Sequence, residues 1–303
     1  MITVLCLTPC VDETIYLPTF VMGGTNRPSR KQSVAGGKGV NVAVTLAQMG
    51  EEVTLATYRY EKNSDLLMET IAGAGLECIA IDTPGTLRTN LKIMDQSTSV
   101  ITEINMKGEP VSEEAVTAME DALLDAARKS TWVVLTGSLP KDFPVDFYAR
   151  VIRRIREEKL PCRVALDAEG APLTLGVAEK PDFIKPNRHE LELLLNRQLP
   201  DNAAIAEAAR QVAAMGVGNI IVSMDSAGSM LMDGNEAVFA PAVPVEVVTT
   251  VGAGDALVSG FLIATAQGEN ARNAFRRGVA CATARVAGED GQTDKYLPLV
   301  EFQ

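Results

Sequence analysis

Short apolar runs alternate with longer amphipathic stretches along most of this 303-residue chain. Ile2 to Leu7 is a continuous apolar run broken only by Thr3, the pattern of a strand buried on both faces. Val40 to Gly50 reads as a helix stopped by glycine, Glu52 to Tyr58 as a strand, Asn63 to Gly75 as a helix capped by Asn63 or Ser64, and Glu77 to Asp82 as another strand. The rhythm resumes with a helix over Glu113 to Ser130, a strand over Thr131 to Gly137 and a helix over Val145 to Lys159. Arg163 to Asp167, Asp182 to Asn187 and Asn219 to Met224 read as further strands with helical segments between them. Repeated β-α alternation with buried strands predicts an α/β fold with a mostly parallel central sheet flanked by helices on both faces.

Two stretches break that rhythm. Ile15 to Ser33 holds Pro18, Gly23, Gly24 and Pro28, while Leu87 to Asn105 reads as two strands joined by a polar turn. Strands outside the main sheet predict a small β lid, formed by about 12–34 and 87–106 and inserted into a single domain spanning 1–303. In open α/β sheets a ligand sits beyond the C-terminal strand ends, which is where such a lid would close.

A net charge of -11 argues against a general nucleic-acid or anionic-membrane binder, because both need a basic face. A phosphate-bearing ligand must therefore meet a local basic pocket. The five cysteines are scattered without a C-x-x-C pair, which predicts reduced thiols with no zinc site and no disulfide framework. The first residues lack the basic and apolar regions of a leader, and no apolar run reaches about 18 residues, so a cytoplasmic protein is expected.

Several stretches are suited to chemistry. Gly36, Gly37, Lys38, Gly39 and Asn41 form a glycine-rich entry to a helix, where backbone N–H groups approach an anion and Lys38 adds a positive charge; a tight turn explains the glycines equally well. In Leu87 to Met94, strand alternation places Arg88, Asn90 and Lys92 on one face, either a solvated surface or a phosphate-reading row. Gly137 and Ser138 follow a buried strand. Asn187 and Glu190 have capping-box spacing, which needs no ligand, but the same pair suits hydrated Mg²⁺. Ser223, Asp225 and Gly228 lie at a strand end, fitting either a hairpin or a nucleotide border. Near the C-terminal end, Val251-Gly252-Ala253-Gly254-Asp255 enters an apolar helix. Its amides suit an anion, and the helix dipole favours an ionised Asp255, whether as base or as cap.

Taken together and in order, GGKGVNVA and VGAGDALVSGF resemble the signatures of the PfkB carbohydrate kinase family, with its ribokinase-like fold, and the resemblance covers essentially the whole chain. TPCVD, LRTN, LTGSLP and KPNRHEL are most similar to its 1-phosphofructokinase and tagatose-6-phosphate kinase branch. The resemblance implies that Asp255 is the catalytic base and that Gly252, Ala253 and Gly254 hold the transferred phosphoryl group. It implies that Asp12, Gly36, Gly37, Lys38, Asn41, Asn90, Lys92 and Ser138 bind the sugar, with Arg88 and Lys38 on its existing phosphate. Lys185, Asn187, Ser223, Asp225, Gly228, Gly252 and Gly254 would border ATP, and Asn187 with Glu190 would organise Mg²⁺ through water. The implied reaction is ATP-dependent phosphorylation of D-fructose 1-phosphate at O6. Tagatose 6-phosphate or fructose 6-phosphate as acceptor, and a non-catalytic sugar-phosphate sensor, are the alternatives. Family lids often pair between subunits, which makes a homodimer the expected assembly. No G-x-G-x-x-G follows the first strand, which disfavours a dinucleotide oxidoreductase.

Overall fold

The computed structural model describes residues 1–303. Its main sheet has nine strands, in spatial order Glu236–Ala240, Ser229–Asp233, Asn219–Ser223, Phe183–Ile184, Arg163–Asp167, Trp132–Thr136, Ile2–Cys6, Val53–Lys62 and Glu77–Thr86. Seven run parallel, and the last two of the chain close one edge as an antiparallel hairpin. The hairpin follows from its two-residue turn, Gly234-Asn235, with Gly234 at a φ of 58° where a left-handed residue matches strand twist. Ile2–Cys6 and Trp132–Thr136 lie side by side at the centre and are buried at every position, as continuous apolar runs require.

Helix Ala253–Ala266 is buried from Asp255 through Thr265. It packs between helices Lys38–Gln48 and Ala271–Val286, which explains why it is apolar on all sides. The second contact is close: a Cβ at Gly260 would lie 2.8 Å from the Arg277 carbonyl oxygen.

The second sheet has four strands in the order Arg30–Gly36, Cys10–Leu17, Thr89–Asp95 and Val100–Ile104. Cys10–Leu17 runs antiparallel to Arg30–Gly36 and parallel to Thr89–Asp95. Only three residues separate the central strand Ile2–Cys6 from Cys10, so the lid is rooted at the C-terminal edge of the main sheet.

One pair of strands is longer than the apolar pattern indicates. Val53–Lys62 and Glu77–Thr86 each run for ten residues, beyond Tyr58 and Asp82. Charged residues are tolerated there because Arg59 and Asp82 stand opposite each other and form a two-point ion pair at 2.5 and 2.8 Å. No helix is long and apolar enough to cross a membrane.

Candidate active site

Two helices begin at the C-terminal edge of the sheet on glycines in the left-handed region. Gly37, at φ 110°, precedes Lys38–Gln48, and Gly252, at φ 81°, precedes Ala253–Ala266; neither start has a side-chain cap. Asp255 stands within the first turn of its helix, not at the cap. The loop before it is pinned by Arg285, whose Nε donates to the Val251 carbonyl at 3.0 Å. The Ala253 N–H turns back to the Thr250 carbonyl at 3.3 Å, whereas the amides of Gly252, Gly254 and Asp255 have no intramolecular acceptor.

The helix that starts at Gly37 supplies two side chains to the same place. Asn41 Nδ2 donates to Asp255 Oδ2 at 2.8 Å, joining residues 214 positions apart in the chain. Lys38 Nζ donates to both oxygens of Asp167, at 3.3 and 3.2 Å, and Lys185 Nζ lies 3.5 Å from the same carboxylate. A Cβ on Gly254 would be 3.4 Å from Lys185 Nζ, which places that ammonium group directly against the 252–255 loop.

Burial, and then the negative charge of Asp167, push the Asp255 carboxyl up to about 6, against the smaller opposing effects of Asn41, Lys38 and Lys185. This reverses the direction expected from the helix dipole alone. At neutral pH Asp255 is still mostly ionised, but it is a stronger base than an exposed aspartate. Burial also disfavours the Asp167 carboxylate, yet Lys185 and Lys38 outweigh it and hold that group below the ordinary carboxylate range. Burial acts against the Lys38 ammonium, but Asp167, Asp255 and Glu190 prevail and keep it charged.

At the lid root, Asp12 is enclosed by polar partners. Asn90 Nδ2 donates to Asp12 Oδ1 at 2.9 Å, Lys92 Nζ to Oδ2 at 3.0 Å, and the Cys10 thiol to Oδ1 at 3.3 Å. Gly36 leaves room for this carboxylate, since a Cβ there would lie 2.9 Å from Asp12 Cγ. Arg88 departs from the row expected for it. It precedes the strand Thr89–Asp95, and its guanidinium donates to the carbonyls of Thr8 at 2.8 Å, Met106 at 2.8 Å and Pro9 at 3.4 Å. It has no acidic partner, and two of its five N–H donors remain. Asn90 and Lys92 do share a face, turned toward Asp12.

Ser138 meets Thr8 across the root of the site, hydroxyl to hydroxyl at 3.1 Å. Asn187 and Glu190 form a full capping box: the Glu190 N–H donates to Asn187 Oδ1 at 2.8 Å, and the Asn187 N–H donates to Glu190 Oε2 at 2.7 Å. That leaves Glu190 Oε1 without an intramolecular partner. A bridge brings Asn187 beside Ser223. Asp225 lies in an exposed turn, at φ 49°, and Gly228 is needed where the hairpin presses on the Ala240 carbonyl. His189 is exposed, and its Nδ1 lies 3.9 Å from Glu192.

The sequence reading passed over Asp167 and Cys10. Asp167 ends the buried strand Arg163–Asp167, and an acid closing an apolar run at the C-terminal edge of a parallel sheet was the available signal. Cys10 gave none, because its role depends on where Asp12 and Asn90 fall.

An open parallel sheet with free helix amides, paired ammonium groups and a buried carboxylate at its C-terminal edge defines a class of enzyme that handles anionic groups. The particular family follows from comparison: the description "pfkB family carbohydrate kinase" matches residues 7–296, and the chain belongs to that family. It is a phosphotransferase with an alcohol group as acceptor. The 1-phosphofructokinase of Rhodobacter capsulatus is 38% identical over 302 residues, covering 98% of this chain and 92% of that protein. The 1-phosphofructokinase of Bacillus subtilis is 30% identical over 298 residues, covering 98% and 96%. The tetrameric inhibited form of phosphofructokinase-2 from Escherichia coli shares the fold, with a TM-score of 0.90 at 24% identity over 98% of this chain and 99% of that one.

Proposed function

We propose that this chain uses ATP to phosphorylate O6 of D-fructose 1-phosphate, yielding fructose 1,6-bisphosphate, with Asp255 as general base. The observation that carries this reading is the Asn41 to Asp255 hydrogen bond. It joins the two glycine-led helix starts into one site that holds a carboxylate of raised basicity, two ammonium groups and open backbone amides. The acceptor hydroxyl gives its proton to Asp255 as its oxygen bonds to the γ-phosphorus, and the bond from that phosphorus to the ADP oxygen breaks. The amides of Gly254 and Asp255, with Lys38 and Lys185, meet the charge on the moving group.

The sugar is held by Asp12, Gly36, Gly37, Asn41 and Ser138, with Asn90 and Lys92 fixing Asp12. The 1-phosphate meets Lys38 and the two remaining donors of Arg88, a cation fixed by backbone carbonyls and without a counter-ion. Lys185, Asn187, Ser223, Asp225 and Gly228 border the nucleotide. The donor set fits a Mg²⁺ ion carried mainly by phosphates and water: Glu190 Oε1 is available, and no cluster of three or more His, Cys, Asp or Glu residues forms a protein cage. Asn187 and Glu190 would hold it through water, and when bound it would neutralise phosphate charge. The fructose 1-phosphate assignment is supported by the names of the relatives that match nearly full length.

A coupled ADP-release assay across fructose 1-phosphate, tagatose 6-phosphate, fructose 6-phosphate and fructose tests the reading. Fructose 1-phosphate is expected to give the highest kcat/KM. A higher value for tagatose 6-phosphate replaces the substrate, and no turnover with any sugar marks a sensor. The lid also supports a homodimer: Val34, Val100, Ile101 and Ile104 are apolar and exposed on its outer strands. Sedimentation of the charge variant Ile101→Asp is expected to show monomer where the parent chain shows dimer.

A further inference from the structure

Asp167 takes no part in the transfer step above, yet at 2% exposure it is the most deeply buried carboxylate in the molecule. Its backbone oxygen accepts the Gly137 N–H at 3.0 Å, and its Oδ2 accepts the Thr136 hydroxyl at 3.4 Å, so backbone and side chain are each tied to the sheet edge. Lys38 and Lys185 come from unrelated elements, a helix start and the exit of strand Phe183–Ile184. Asp167 is the one group that contacts both ammonium groups. Asp255, by contrast, has Asn41 as its side-chain partner and no ammonium group within ion-pair distance.

These contacts divide two carboxylates and two ammonium groups unequally. Lys185, at 6% exposure, is as enclosed as the carboxylates, and without a counter-ion it would be driven toward the next nearest acid. An acid that feels its charge is Asp255, whose helix start lies against Lys185. A Lys–Asp255 ion pair would occupy the oxygen that must receive the acceptor's proton.

Resting on the reading of Asp255 as base, we propose that Asp167 is a positioning residue: it holds the Lys38 and Lys185 ammonium groups at the two sides of the transfer site and keeps them off Asp255. The ammonium groups thus stand where incoming phosphate oxygens meet them, and the base keeps an unpaired lone pair. Asp167 itself touches no reacting atom. Because its oxygens are shared between two cations, each ammonium group retains N–H donors for phosphate.

The test is the pH profile of kcat/KM in Asp167→Asn. Asp255 is faced by Lys38 and Asn41 from the helix Lys38–Gln48, by Asp167 from its strand and by Lys185 from the segment after Phe183–Ile184, with Glu190 acting on Lys38 from helix Arg188–Leu195. Removing the Asp167 charge and releasing both lysines favour ionised Asp255, so the acidic limb is expected to move down by at least about half a pH unit while kcat falls about 10²-fold. Loss of the Asp167 charge alone would move the limb with kcat little changed, so an unmoved limb or a kcat within about twofold of the parent overturns the proposal. Asp167→Glu keeps the charge but shifts it by one methylene; here the limb stays and kcat falls, whereas kcat within about twofold of the parent also overturns the proposal. This variant decides the matter if Asp167→Asn does not fold. Asp255→Asn separates the two readings: a variant that still turns over removes the base assignment itself, whatever Asp167 does.

Discussion

Two carboxylate and ammonium clusters meet at the glycine-rich turn, and they are built to different ends. On the core side, Asp167 is fixed to the sheet, binds two lysines and leaves Asp255 unneutralised. On the lid side, Asp12 accepts from Lys92, Asn90 and Cys10, and no acid is left over. Only Gly37 separates Gly36, which makes room for Asp12, from Lys38, which reaches Asp167. A cluster that leaves one carboxylate unpaired can accept a proton. One whose acid is saturated can orient hydroxyl groups but has no base to offer. Under the proposed function, the contrast places chemistry on the rigid sheet and recognition on the lid.

The sharpest way to break this contrast is Asp255→Asn, for which kcat is expected to fall by about 10³-fold or more with sugar-phosphate affinity, read by calorimetry, changed little. Next is Lys185→Met, which removes one ammonium group from the core cluster and should cost about 10²-fold in kcat. On the lid side, Asp12→Asn should instead raise the sugar KM about tenfold with a smaller change in kcat; an equal loss in kcat would mean the two clusters are not functionally distinct. The parent enzyme should show a kcat/KM falling below about pH 6, as the Asp255 carboxylate takes up its proton.

The smallest expected effect is on stability. Folding raises Asp255 from an ordinary 3.8 to about 6, so the folded chain holds this proton more tightly than the unfolded one. The resulting stabilisation is complete below the lower value and lost as pH rises through the upper one, leaving an ionised, buried acid at pH 7. Asp255→Asn should therefore gain about 2 kcal/mol at pH 7, seen as a Tm higher by about 4 °C, with the gain vanishing below about pH 4.

Much of the architecture was legible because parallel strands buried on both faces leave continuous apolar runs such as Ile2 to Leu7, and because glycine at a helix entry marks Gly37 and Gly252. What was not legible depended on distance or depth. The partners of Asp167 lie 129 and 18 positions away, so no local pattern announces the cluster. The direction of the Asp255 shift required its burial, and helix-dipole reasoning alone pointed the opposite way. Arg88 was placed in a strand face because alternation ignores where a strand begins; one residue upstream of Thr89, its guanidinium turns to the carbonyls at the lid root instead.

Those carbonyls also bear on the order of events as the chain folds. The central lid strands, Cys10–Leu17 and Thr89–Asp95, pair in parallel with Asp12 opposite Asn90, so the two partners lie 78 positions apart, with helix Lys38–Gln48 and the main-sheet strands Val53–Lys62 and Glu77–Thr86 between them. The lid sheet therefore cannot close until the strands and helices between them have drawn its halves together. It should be the last part of the N-terminal half to gain amide protection during refolding and the first to lose it under mild denaturant, opening as its own cooperative unit while the sheet beneath stays intact.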